Sequence, residues 1–216
     1  MNMENPSRKP RSRLAEDPAP RLETLLDAAE HVFLSKGYHN ATMSEIARQA
    51  GMSKRTVYLL VQSKGELFGE LLAHRQSRLR LPPPQPGWTM HDTLCAYLNQ
   101  IAKFILDPAQ IAITRLVIAE YAHSPDFNRV FFFRRMRKAK AHLETSLLEL
   151  ADLNGGERCS RAEIRELVSM LFGMALGDFY FGALSGLRTR PSLKTLEARI
   201  DRAVGIFLSG VCSHKS

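Results

Sequence analysis

Apolar residues recur along this chain at helical intervals, and no segment shows the convincing alternation of a strand. Leu22, Leu25, Leu26, Ala29 and Phe33 fall on one face at three- and four-residue steps, which predicts a helix over 21–36 that Gly37 ends. Ile46, Ala50, Met52, Val57 and Leu60 then supply apolar positions for two short crossing helices, with Ala47 small where they approach. Gly51 lies between them, where a tight turn needs positive φ. Thr42 with Glu45 has capping-box spacing and opens the first short helix at Met43, and Ser53 can cap the second. Ser63 with Glu66 is another such box, opening a helix from Lys64 to about Arg80. The run Leu81 to Gly87, LPPPQPG, breaks the pattern because proline cannot continue a helix. Beyond it the periodicity predicts helices over about 89–106, 108–123, 125–153, 160–187 and 192–210, with Asn154-Gly155-Gly156 as a second break. Pro108, Pro125 and Pro191 sit where a first-turn proline is tolerated. The predicted fold is all-α.

The pair of short helices is the most informative stretch. Between Ile46 and Gly65 stand Arg48, Lys54, Arg55 and Lys64, with no acidic residue among them. Two helices about a glycine turn with a basic outer face form a helix-turn-helix, whose second helix can enter the DNA major groove. The plainer alternative is an αα-hairpin in a bundle with a solvated basic face. Composition adds modest support. The net charge is +8 at pH 7, which favours a polyanionic partner, but residues 1–80 and the remainder each carry a net +4. The local acid-free window therefore argues for DNA better than bulk charge does.

The run from Leu22 to Leu72 resembles the DNA-binding domain of tetracycline-repressor (TetR) family regulators. The matching residues are the lead helix ending at Gly37-Tyr38, Thr42, Ile46-Ala47, Ala50-Gly51-Met52-Ser53, Thr56-Val57-Tyr58, and Ser63-Lys64 before Glu66-Leu67. TRLVIAEYAHSPDF followed by RVFFFRR is similar, more loosely, to the ligand-sensing C-terminal domain of the AefR-like branch. The resemblance implies a homodimeric bacterial transcription factor, usually a repressor released by a small molecule, and not an enzyme. It implies a double-stranded DNA operator as partner and a cytoplasmic location. It implies an N-terminal three-helix DNA-binding domain over 21–80, a linker over 81–87, and a helical ligand-binding and dimerisation domain over 88–216. Residues 1–20 would be a disordered basic arm. The candidate DNA contacts are Thr42, Ser44, Ser53, Lys54, Arg55, Thr56, Tyr58 and Lys64, with Tyr58 and Lys64 on phosphates. One departure stands out: after Tyr58 the chain has Leu59, Leu60 and Val61, where the family often has an aromatic or His pair. These side chains cannot hydrogen-bond phosphate.

The rest of the chain offers less chemistry. Cys95, Cys159 and Cys212 are scattered, which fits a reducing compartment. His91 and Cys95 stand at i, i+4 and could share a metal, but the sequence names no third or fourth ligand, so neither metal nor cofactor is assigned. No nucleophile motif and no glycine-rich phosphate loop occurs. Residues 167–187 are long and apolar enough to span a bilayer, but Asp178 near their centre would be costly there. A buried interface helix and no membrane contact is the better expectation. Small residues at Gly173/Gly177 and Gly182/Gly186 would allow close helix approach. A homodimer interface is expected at Gly173, Gly177, Phe181, Leu193, Leu196, Ile200, Val204 and Phe207. The helix from Ile111 to Ala122 looks apolar all round, so it should be buried, with Arg115 and Glu120 as charges paired internally or awaiting a ligand. A small, largely apolar effector is expected among Trp88, Phe104, Arg115, Phe172 and Tyr180. Phe131, Phe132 and Phe133 are read as core or cavity residues, and the basic cluster Arg134 to Lys140 as a solvated helix face. The alternatives are a DNA-organising protein without ligand control and a helical lipid- or membrane-binding protein.

Overall fold

A computed structural model describes residues 18–120, 141, 143–145, 147–148 and 160–213. Residues 1–17 of the basic arm, the three phenylalanines and the cluster at 134–140 lie outside the described residues, as does most of the expected helix over 125–153; residues 18–20, expected in the disordered arm, instead form the first turn of a helix. Every regular element among the described residues is helical. They are α1 (Pro18–Asn40), α2 (Met43–Gln49), α3 (Lys54–Leu60), α4 (Lys64–Ser77), α5 (Met90–Ile105), α6 (Pro108–Glu120), α7 (Arg161–Phe172), a π-helical turn (Gly173–Gly177), α8 (Asp178–Ser185) and α9 (Leu193–Ser213). Gly37 breaks α1 with φ 78°, as its place after the last apolar position predicts.

The predicted caps form. Thr42 Oγ1 accepts from the Glu45 amide, and a Glu45 oxygen accepts from the Thr42 amide at 3.2 Å. Ser53 and Ser63 take the Thr56 and Glu66 amides in the same way. The Ser192 hydroxyl accepts from Thr195 at 3.1 Å, so Pro191 precedes α9 rather than lying in its first turn.

Two hydrophobic cores result. The first joins α1 to α4 around Phe33, Ile46, Val57, Leu67 and Phe68. Phe33 and Phe68 meet edge to face at 5.1 Å, and Tyr38 stacks on Phe33 at 5.6 Å, a favourable aromatic geometry. Ile113 and Val117 of α6 belong to this first core too. The second core joins α5, α7, α8 and α9 around Leu98, Ile101, Val168, Leu171 and Ile200, with Leu143 and Leu147 added.

Several expectations need correction. Leu196, Ile200, Val204 and Phe207 do not form a free interface face. They are buried within the single chain, because the apolar stripe of α9 is used up against its own α5. The expected continuous helix over 160–187 is interrupted by the π turn, which no local signal announces. The Arg199 side chain donates to the Met174 carbonyl there, at 3.0 Å, and so supplies a partner for backbone in the disturbed ladder. The helix α6 is not buried all round: Ile118 is 52% exposed, and Arg115 is exposed as well. Asp178 is also exposed and pairs with Arg188 at 2.6 Å. Among the three charges expected to be buried, Glu120 alone is. The glycine pairs differ in use. A Cβ at Gly173 or Gly177 would meet nothing within 4 Å, whereas one at Gly182 would lie 3.1 Å from Arg188 Cβ. Gly186 ends α8 in the left-handed region, φ 76°.

The stretch Arg161–Ser185 is long and apolar enough to cross a membrane, with a mean hydropathy of 1.6 over its most apolar window. In the fold its apolar face, with Val168, Leu171 and Leu176, joins the second core.

Candidate nucleic-acid interface

The surface of α2 and α3 is set by two caps and a turn. Gly51 at φ 66° turns the chain between them, and the Met52 amide closes the turn on the Ala47 carbonyl at 2.9 Å. Ile46, Ala47 and Val57 face inward, which leaves Ser44, Arg48, Lys54, Arg55 and Tyr58 exposed. Among the described residues no hydrogen bond or ion pair engages Lys54 or Arg55. Both stand in the first turn of α3, where the free amides and the helix dipole also favour anions. Arg48, already counted in the acid-free window but not among the expected DNA contacts, is exposed too and extends the cationic surface.

Other candidates are already occupied. The Thr42 hydroxyl both accepts from and donates to Glu45, and Ser53 Oγ lies 2.8 Å from Thr56 Oγ1 in the α3 cap. These three residues shape the helix ends more directly than they offer free donors. The Glu45 carboxyl is held below the usual carboxylate range, first by Lys36 and then by Thr42.

Lys64 departs most from expectation. Its ammonium donates to the carbonyls of Tyr38 at 2.8 Å, His39 at 3.1 Å and Ala41 at 3.1 Å, and lies 4.5 Å from the centre of the Tyr38 ring. An ammonium has three donors, and all three are used. Lys64 therefore closes the frayed end of α1 and cannot also grip phosphate without releasing it. Leu59, noted from sequence only as a departure that cannot bond phosphate, is 78% exposed on α3. Its solvent-facing position beside Tyr58 leaves an apolar side chain on the surface that would meet a duplex, where thymine methyl groups are its natural contact.

This surface is joined to the remainder through α6. Arg75 of α4 is buried and donates to Glu30 of α1, to Gln110 Oε1 at 3.2 Å and to Asp107 Oδ1 at 3.2 Å. Asp107 also accepts from the Gln110 amide at the start of α6. At the other end of α6, the buried Glu120 carboxylate lies 3.2 Å from His39 Nε2. On its far side Arg115 donates to the carbonyls of Ala183 at 2.8 Å and Leu184 at 2.9 Å, capping α8. Burial raises the Tyr180 phenol above its ordinary range, and the neighbouring Thr114 hydroxyl offsets part of that rise. Of the expected effector contacts, Phe172 is buried, Trp88, Phe104 and Tyr180 are half-buried, and Arg115 is exposed. Arg115 is thus a helix-capping group rather than an unpaired buried charge.

Comparison with known proteins agrees with this arrangement. Residues 25–71 match the model of bacterial regulatory proteins, tetR family, and residues 92–210 match that of the AefR-like transcriptional repressor, C-terminal domain. The chain is 43% identical over 56 residues to the HTH-type transcriptional regulator YdgC of Bacillus subtilis, covering 26% of this chain and 29% of that protein. A crystal structure of a tetR-family regulator from Mesorhizobium loti superposes with a TM-score of 0.74 at 26% identity, covering 88% of this chain and 96% of that one. The flavonoid-responsive regulator FrrA superposes with a TM-score of 0.72 at 22% identity, covering 89% and 97%.

Proposed function

We propose, because the chain belongs to the tetR family of bacterial regulatory proteins, that it represses transcription as a homodimer and leaves its operator when a small, largely apolar ligand binds. It is a DNA-binding transcription regulator and not an enzyme. The finer reading rests on one observation: at the capped start of α3, Lys54 and Arg55 are exposed and have no hydrogen-bond or ion-pair partner among the described residues.

In this reading α3 enters the major groove. Lys54 and Arg55 read base edges, Tyr58 and Arg48 meet phosphates, and Leu59 packs against thymine methyls. The work takes place in the cytoplasm, where the DNA is. Two subunits meet through the outward face of α7 and α8. Met170, Gly173, Gly177 and Phe181 follow one another there at helical spacing, and Met170 and Phe181 are 59% and 66% exposed. Leu193, 54% exposed, extends the patch onto α9. A two-fold axis through such a face gives an isologous contact and fixes the distance between the two reading helices.

The ligand would bind beside α6 and α8, with Tyr180 and Thr114 as its polar contacts and Trp88, Phe104 and Phe172 as apolar ones. The helix α6 carries the message, because Ile113 and Val117 lie in the first core while Arg115 holds the end of α8. A ligand that favours one position of α6 shifts the spacing of the DNA-binding heads, and its differential affinity sets the size of the shift. The test is competition binding on a random duplex pool at physiological salt, followed by a screen of hydrophobic organic molecules. Selected sites should bind about 10³-fold or more tighter than random DNA, and a true effector should both raise the melting temperature and release the duplex. Equal affinity for every sequence would overturn the operator reading. Compounds that stabilise the protein without changing DNA affinity would overturn ligand control.

A further inference from the structure

We propose that His91, Cys95 and Asp201 form a binding site for a thiophilic divalent cation of the zinc class, one that ties α5 to α9. The first two stand one helical turn apart on α5, and the fold brings Asp201 from α9 to face them. Their ligand atoms all lie within 4.8 Å of one another. His91 Nε2 is 3.5 Å from Asp201 Oδ1 and 4.0 Å from Cys95 Sγ, and Sγ is 3.7 Å from His91 Nδ1. Donors bonded to a tetrahedral zinc at about 2.0–2.3 Å stand roughly 3.3–3.7 Å apart, as the edges of the tetrahedron require. With Nε2 as the donor, the His91–Asp201 pair is already at that separation, and Cys95 Sγ lies a few tenths of an ångström outside it. The remaining separation, between Cys95 and Asp201, is at most 4.8 Å, and the exposed Asp201 side chain is free to rotate and shorten it.

The donor set is one imidazole nitrogen, one sulfur and one carboxylate oxygen. That mixture suits zinc, and the sulfur disfavours magnesium and calcium, which take oxygen. Three protein ligands leave a fourth position for water or a small anion. Asp92 is not that fourth ligand, because its carboxylate is engaged by the Thr89 amide at 2.9 Å and the Thr89 hydroxyl at 2.6 Å. It nevertheless adds negative charge beside the site. His91 and Asp201 side chains are 35% and 72% exposed, so an ion can reach them, while Cys95 is half-buried and held in place by its helix. Ligation requires the Cys95 thiolate, so binding the ion releases the thiol proton. The consequence is mechanical. The packing of α9 on α5 is apolar along Leu196, Ile200 and Val204, and an ion would clamp the solvent edge of that contact.

Cobalt(II) added to the full chain tests this, since it takes zinc sites and reports thiolate ligation by a charge-transfer band. We expect one cobalt per chain, a band that zinc abolishes, and loss of the band in Cys95→Ser and His91→Ala. It should persist in the double variant Cys159→Ser, Cys212→Ser, which removes the other two thiols. Asp201→Asn, an exposed change that leaves folding intact, should weaken cobalt binding at least tenfold, no less than loss of an outer-shell partner costs in known sites. Absence of the band, its survival in Cys95→Ser, or unchanged affinity in Asp201→Asn would each overturn the site and leave His91 and Asp201 as a surface ion pair.

Discussion

The residues of the DNA-facing surface divide into those that read and those that hold. Arg55 is exposed and unpaired among the described residues, so replacing it touches nothing inside the fold. Arg55→Ala should leave unfolding free energy within about 0.5 kcal/mol of wild type and relax base preference at one operator position, at a cost of about 1–3 kcal/mol. Lys64 behaves oppositely. Its three carbonyl partners end α1 beside the Tyr38–Phe33–Phe68 cluster. Lys64→Ala should lower stability by about 1–3 kcal/mol, the cost of leaving partly buried acceptors without donors. Urea denaturation of the two variants beside duplex titration separates the roles. A Lys64→Ala protein as stable as wild type but weak on every DNA sequence would restore lysine to the phosphate contact.

At the scale of the element, three helices start with reciprocal caps whose carboxylates are pulled below their ordinary range. Lys36 and then Thr42 lower Glu45, Thr89 lowers Asp92, and Ser160 lowers Glu163. A lowered folded-state pKa means that the ionised form is favoured in the native protein. The stabilisation is present above the ordinary carboxylate range near pH 4 and is lost as pH falls through the lowered value. Glu45→Gln should therefore melt below wild type at neutral pH and converge with it in acid. Parallel melting curves at all pH values would show that the α2 cap contributes nothing. Gly51 belongs to this scale too. With φ at 66° and open space around it, Gly51→Ala meets backbone strain alone, about 1–2 kcal/mol, measurable by thermal melting.

For the whole molecule, the decisive contacts run between cores. Arg75 ties α4 to α1 and α6 through Glu30, Asp107 and Gln110, with its side chain 8% exposed and that of Glu30 18%. Arg75→Met leaves the Glu30 carboxylate without its buried partner and should cost about 3–5 kcal/mol in urea unfolding. A loss below 1 kcal/mol would mean that solvent already carries that charge. The dimer makes a paired prediction. Leu196 is 2% exposed, so Leu196→Glu should fail to fold rather than yield a folded monomer, whereas Phe181→Asp, at a side chain 66% exposed, should stay folded and sediment as a monomer. Phe181→Asp that remains dimeric would move the interface elsewhere.

The sequence by itself determined the local decisions. Periodicity, glycine and proline breaks and Ser/Thr caps are read within a few residues of chain, and they placed α1 to α6, the turn at Gly51 and the basic face of α3. The cap and the acid-free window made Lys54 and Arg55 visible for the same reason: each signal is complete inside one turn of helix. What only the tertiary structure decided was the partner of each face and charge. The stripe of Leu196, Ile200, Val204 and Phe207 has the same pattern whether it packs on its own α5 or on a second subunit. Lys64 reaches acceptors 23 to 26 residues away, Arg115 caps a helix end 68 residues away, and Asp201 meets His91 across two helices. No local rule links such residues. Their pairing depends on how helices stack, which is set by the summed burial of many side chains rather than by any one of them.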